Sequence, residues 1–209
     1  MSNPSIEAVL SLKPDVVVMT TDGNPKEFEE RLTSMKIKTY VFEARTLRVL
    51  PQGIRSMAAA LGVKDRGERL AQSIEDGVRK ASRSASPGPD RASGKKVLFI
   101  VWPEPLIVAG PGTAIHDAIT LLGYDNIASQ AATAYPKYSI EEVVRQAPDV
   151  LVVGKGSGMD MVAVSKGILK RLARIPAVKN GRVCYVGEGL YRLGPRVVQG
   201  IEELSACLK

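Results

Sequence analysis

The side chains best suited to grip a ligand are aromatics and arginines just beyond apolar runs. Trp102 follows KKVLFIV directly, Tyr135 and Tyr138 precede a helical segment, and Tyr191 and Arg192 follow the run RVCYV. The chain has only six Tyr, three Phe and one Trp, so four of them at loop positions carry information. Aromatic faces accept large planar or hydrophobic groups, and a guanidinium pairs with carboxylate or phosphate. This set offers binding rather than bond-making. Trp102 and Tyr138 could also serve as packing residues, and Arg196, in Gly-Pro-Arg, reads as a cap or brace for the last helix.

A second pattern is acidic and doubled. Residues 5–19, SIEAVLSLKPDVVVM, and residues 139–153, SIEEVVRQAPDVLVV, match at eight positions with a constant offset of 134. A repeat that distant suggests two similar lobes rather than a solenoid, whose periods run about 20–50 residues. Clefts between like lobes are favoured ligand sites. In each copy a serine, Ser5 or Ser139, stands where a helix would start and offers an oxygen to its free N–H groups. Glu7 and Glu141 fall in the first turn, where the helix dipole favours negative charge by about 0.3–1 kcal/mol. Pro14 and Pro148 end the helices. Asp15 and Asp149 invite a reading as paired carboxylates, yet a residue between Pro and a strand is better suited to a turn. They would also sit at strand N-termini, whereas open α/β sheets bind ligands at the carboxyl ends.

Other chemistries lack their residues. His116 is the only histidine and falls inside an apolar helical pattern, so it offers no zinc cluster. Gly110 and Gly112 would need a small residue at 115 for a dinucleotide fingerprint, and Ile115 stands there. Gly154, Gly156 and Gly158 fail the same test at Met159 and read as a flexible turn. There is no Gly-x-Ser-x-Gly elbow, and one histidine leaves little room for a triad. No catalytic residue is assigned. Cys184 and Cys207 have no metal spacing; they form one disulfide or stay as two buried thiols.

The elements that must position these groups alternate. Strands are expected near 15–20 and 38–42, with helices between and after them, the latter over 47–61 and stopping at Gly62. Asp22-Gly23-Asn24 reads as a turn. A long polar helical stretch covers 65–86, with Leu70, Ile74 and Val78 on one stripe. SASPGPDRASG (84–94) reads as a linker. Beyond it come a strand at KKVLFIVW, a helix capped by Thr113 and ending at Gly123, the second repeat copy, a helix near 161–173, the strand RVCYV, and a helix from about Pro195. This is α/β architecture with parallel sheets. It gives three parts: a partial N-terminal lobe (1–62), a linker helix and connection (63–94), and a C-terminal lobe (95–209). The first lobe has only two clear strands, which implies that an earlier β-α-β portion is missing and that an exposed edge strand could pair with another chain.

The chain has 209 residues, 44% of them hydrophobic and 24% charged, with a net charge of +7. No run approaches the ~20 apolar residues of a membrane span, and residues 1–12 are no signal peptide. The positive balance comes without a nucleic-acid motif and reads as a solvated basic surface, so no nucleic-acid partner is expected.

Two α/β lobes joined by one long helix resemble the helical-backbone substrate-binding proteins of ABC importers. The resemblance rests on NPSIEAVLSLKPDVVV, VWPEPLIVAGPGTAIHDAITLLGYDNIA, AYPKYSIEEVVRQAPDVLVV, PAVKNGRVCYV and RLGPRVVQGIEEL. It implies capture of a ferric siderophore, cobalamin or haem, with a permease as partner and no cofactor or enzymatic activity. It implies that Glu7 and Glu141 each pair with permease arginines, and that Trp102, Tyr135 and Tyr191 lie near the ligand cleft; Arg192 joins them from its place after RVCYV. It further implies a periplasmic or otherwise extracytoplasmic protein, with a membrane-anchored lipoprotein as an open alternative. A missing N-terminal portion would remove part of the ligand wall. A two-lobed α/β enzyme or cytosolic sensor is the alternative that fold alone leaves open.

Overall fold

A computed structural model describes residues 5–21, 26–84, 94–156 and 159–209. The chain divides into two compact units, Met1–Ala44 with Pro51–Ala71, and Arg45–Leu50 with Gln72–Lys209. Helix α4 (Lys64–Ser84) gives its first turns to one unit and the rest to the other. Most of the linker expected after it, and the turn expected at Asp22-Gly23-Asn24, lie outside the described residues, as do residues 157–158 of the glycine turn.

In the first unit, Ser5 caps α1 (Ile6–Ser11) by accepting from the Ala8 N–H. β1 (Val17–Thr20) pairs in parallel with β2 (Thr39–Phe42), Val17 opposite Thr39. α2 (Lys26–Ser34) crosses over between them. Ile6, Met19, Phe28 and Leu32 form the core. α3 (Leu50–Ala60) ends where Gly62 takes φ +71, a conformation that costs a glycine nothing. Arg55 on α3 and Glu68 on α4 form a two-pronged pair, each contact 2.8 Å.

The second unit is built on β3 (Lys96–Pro103), buried from Val97 to Ile100. β6 (Val150–Gly154) lies parallel to it, and β7 (Val183–Val186) parallel to β6. The other edge of β3 is shared. β5 (Asp125–Asn126) pairs with its start, in parallel. β4 (Leu106–Val108) folds back antiparallel on its end, through a cis Glu104–Pro105 bond. The expected parallel sheet thus carries one antiparallel hairpin, formed from the very segment that holds Trp102. Continuous apolar runs in β3 and β6 suit strands covered on both faces.

Helices cover this sheet. α5 (Ala114–Leu121) is capped by Thr113 and closes at Gly123, φ +81. α6 (Ile140–Gln146) is capped by Ser139. α7 (Met161–Arg171) starts at Asp160, whose carboxylate takes the Val162 and Ala163 N–H groups. α8 (Pro176–Lys179) is a single turn begun by proline, and α9 (Val197–Leu208) closes the chain. A disulfide joins Cys184 on β7 to Cys207 on α9, Cα to Cα 6.0 Å, and so decides the question the spacing left open.

Candidate functional site

Strand direction places the candidate residues. β3, β6 and β7 are parallel, so their carboxyl ends share one edge of the sheet. Trp102 is at that end of β3, and Tyr191 and Arg192 follow β7 after a 3-10 turn (Glu188–Leu190). The structure therefore brings Trp102, Tyr191 and Arg192 to the same edge, the one at which open α/β sheets take ligands.

Each is held by local contacts. Trp102 is half-buried against the core, and its indole N–H donates to the Glu104 carbonyl at 2.7 Å, across the hairpin turn. That bond anchors the indole while the side chain stays only partly covered. The Tyr191 ring packs over Gly154 at the end of β6. A Cβ there would stand 3.2 Å from the ring, and equally close to Phe99, so a larger residue would have to push one of the rings aside. Its hydroxyl donates to the Lys155 carbonyl. Burial, with a smaller push from the Glu188 carboxylate, raises the phenol to about 12. Arg192 is exposed, with its Nε 3.3 Å from Glu188 Oε2. Tyr191 thus braces the end of β6, while Arg192 keeps a solvent-facing guanidinium.

Tyr135 lies elsewhere in the same unit. Residues 134–137 run alongside β4, with Gly110 N–H donating to Ala134 O (2.8 Å) and Val108 N–H to Pro136 O (3.1 Å). It is Lys137 that reaches the level of Ile107, the partner of Trp102. Tyr135 is 40% exposed and falls two residues short of that level. Tyr138 packs against the core and donates to Ile127 O at 3.3 Å, and burial raises its phenol, so packing is its role.

The loop carrying Tyr191 rests on α9 in a way single residues did not reveal. Glu203 accepts the Gly187 N–H at 2.8 Å, and Gly189 and Gly200 let loop and helix backbones touch: a Cβ on Gly200 would lie 2.9 Å from the Gly189 carbonyl carbon. The stretch RLGPRVVQGIEEL contains Gly200 and Glu203, but their partners are more than ten residues away. Arg196 stands at the N-cap of α9 without a side-chain cap bond, so it braces through its backbone, its carbonyl accepting from Gly200 at 3.0 Å.

His116 is used in packing. The Asn126 amide donates to Ala109 O (2.9 Å) and accepts from the Ala128 N–H (3.0 Å), which fixes its orientation. Its NH2 therefore also donates to His116 Nδ1 at 3.1 Å. No cluster of His, Cys, Asp or Glu among the described residues could hold a metal ion. An open hollow of about 1190 Å³ beside His116, Gln130, Lys137 and Arg145 contains none of Trp102, Tyr135, Tyr191 or Arg192.

The two repeated acids are both exposed. Glu7 is held below the usual carboxylate range, first by the Ser5 hydroxyl (2.6 Å), then by its own N–H, and also by the charge of Arg31. Glu141 is lowered by its own N–H, by the Ser139 hydroxyl, and by Arg171. Asp149 is structural: its carboxylate accepts the Lys96 N–H at 2.8 Å, tying the start of β6 to the start of β3.

A model of the family described as periplasmic binding protein matches residues 2–189. The chain belongs to the periplasmic binding protein family. Among its relatives, the vitamin B12-binding protein of Pectobacterium carotovorum subsp. carotovorum (strain PC1) is 26% identical over 205 residues, spanning 98% of this chain and 71% of the relative. The periplasmic haem-binding protein RhuT of Roseiflexus sp. RS-1, in its apo form, superposes with a TM-score of 0.85 and 30% identity. It covers 98% of this chain and 79% of that one. The periplasmic vitamin B12-binding protein BtuF of Vibrio cholerae shares the fold, with a TM-score of 0.80 at 22% identity over 97% of this chain and 77% of its own. These periplasmic binding proteins are binding proteins by name. None of the described helices of this member is long and apolar enough to cross a membrane.

Proposed function

We propose that this periplasmic binding protein captures a metal chelate, a ferric siderophore or a cobalamin-type corrinoid, and delivers it to an ABC permease through Glu7 and Glu141. The observation that carries this reading is the family match across residues 2–189, joined to relatives named for vitamin B12 and haem. The ligand wall includes Trp102, Tyr191 and Arg192, with the ring of Trp102 as the flat contact and the Arg192 guanidinium as the anion partner; Tyr135, off that edge, serves at most as an outlying contact. No metal-ligating cluster is needed, because the chelate supplies the coordination. The protein works outside the cytoplasmic membrane, in the periplasm or as a membrane-anchored lipoprotein, and has no enzymatic step. Among the described residues β1 pairs only with β2, so each is an edge, and we assign weak self-association to that edge.

The test is Trp102 fluorescence during titration with cyanocobalamin, haem and several ferric siderophores, corrected for ligand absorbance. Saturable quenching by one class names the substrate. If none of them quenches, and none binds in equilibrium dialysis, the reading fails. Sedimentation across a hundredfold concentration range checks self-association, and a monomer throughout rules it out.

A further inference from the structure

The serine that begins each repeat copy does two jobs with one hydroxyl. Ser5 Oγ accepts the Ala8 N–H at 3.3 Å and donates its own proton to Glu7 Oε2 at 2.6 Å. Ser139 Oγ accepts the Glu142 N–H at 3.1 Å, and the Ser139 hydroxyl helps hold the Glu141 carboxyl below its ordinary range. A hydroxyl has one donor and two acceptor sites, so both bonds coexist. Capping alone would need only the acceptor. In the first copy the donor half is aimed at the acid two residues on, and 134 residues later the equivalent serine lowers the equivalent acid.

We propose that Ser5 and Ser139 are positioning residues for docking, each holding the carboxylate two residues ahead in the orientation that meets a guanidinium of the permease. This rests on the assignment of Glu7 and Glu141 as docking acids. A glutamate on an exposed helix turn otherwise samples several rotamers. Freezing one on association weakens binding by about two- to tenfold per side chain. A carboxylate already tied to a serine has lost part of that freedom before the partner arrives. The second carboxylate oxygen remains for the incoming donor, since an ionised carboxylate has about four acceptor sites.

The surroundings agree in both lobes. The same hydroxyl and the residue's own N–H keep each acid ionised, and one arginine adds its charge in each unit. Those arginines are topologically equivalent: Arg31 lies in the last turn of α2, the helix after β1, and Arg171 in the last turn of α7, the helix after β6.

The experiment uses the full chain and its own importer, permease with ATPase, in nanodiscs. In the double variant Ser5→Gly/Ser139→Gly the cap is nearly preserved, because glycine is a good N-cap, but the donor is gone. Threonine keeps both functions. Carboxyl 13C titration of Glu7 and Glu141 reports the bond directly, and binding to the nanodiscs reports docking. The glycine variant should raise both carboxyl midpoints and weaken docking by about two- to tenfold per lobe, with ligand affinity unchanged; threonine should restore both. Glycine variants that dock like the wild type, while Glu7→Gln/Glu141→Gln does not, overturn the positioning role and leave the docking acids standing. If the glutamine variant also docks like the wild type, the docking assignment falls and the serine role with it.

Discussion

Val18 and Val152 hold the same place in the two repeat copies, yet Val18 is 46% exposed and Val152 is fully buried. The local structure around them is shared. Both copies open with a capping serine, and both pass through a left-handed residue just before the proline, Lys13 at φ 46 and Ala147 at φ 48. Both then enter a parallel strand. The difference lies in the company each strand keeps. β6 is flanked by β3 and β7, whereas β1 pairs with β2 alone among the described residues. Short-range chemistry therefore reproduces the turn, the cap and the presented acid in both units. Burial, which supplies the stability, depends on how many strands assemble around the copy.

If the shared part is for docking, function should be equal where burial is not. Reversing both acids, Glu7→Arg with Glu141→Arg, should abolish uptake by cells while chelate affinity stays as in the wild type. Each single reversal should cause a similar loss, because the two acids are presented alike. Uptake that survives the double reversal would show the repeat to be purely structural.

The second unit has a covalent tie that is not seen in the first. The Cys184–Cys207 bond spans 23 residues and holds α9, with Glu203 and Gly200, under the loop of Tyr191 and Arg192. Replacing both cysteines by serine should destabilise the second unit by about 3 kcal/mol, the loop-closure value for that length. Urea unfolding followed by tryptophan emission reads it directly, since Trp102 is in that unit. A change below 0.5 kcal/mol would mean that packing alone seats α9.

A smaller contrast isolates the sheet itself. Val152→Ala removes two methyl carbons from a sealed interior and should cost about 2 kcal/mol. Val18→Ala removes the same atoms from a half-exposed strand and should stay within about 0.5 kcal/mol. Equal costs would show that β1 is covered by something absent from the two-stranded arrangement.

The parts of the fold set by neighbouring residues were legible. Ser5, Thr113 and Ser139 cap helices as their positions suggested, and Gly62 and Gly123 end them. The β4 hairpin was not legible, because Leu106–Val108 is too short to show a period and its register depends on a turn through Glu104–Pro105. Residues 134–137 were equally opaque, since the Ala134 and Pro136 carbonyls are taken by Gly110 and Val108, far back in the sequence. For the candidate site, strand ends pointed to Trp102, Tyr191 and Arg192. They could not show that Tyr191 would spend its hydroxyl on Lys155, or that Gly189 and Gly200 would meet. Those are contacts between distant residues, which no periodicity encodes.

The finest test of the likeness between the copies is acid. Both Glu7 and Glu141 are lowered from the ordinary 4.5, by a serine hydroxyl, by the residue's own N–H and by one arginine. A carboxylate depressed in the folded state contributes stability that is fully present above the unfolded value, near 4.5. That stability is lost as pH falls through the lower folded value. Both acids are fully exposed, so the effect on unfolding is small, and charge state is the better readout. At any pH near the ordinary glutamate midpoint, both acids are more ionised than a free glutamate. Docking to nanodiscs should therefore persist to lower pH than the titration of a free glutamate would allow. If the two copies are presented alike, the Glu7→Gln and Glu141→Gln single variants, each relying on the remaining acid, should lose docking over the same pH interval. Separate intervals would show that Arg31 and Arg171, not the shared serine, set the charge of each acid.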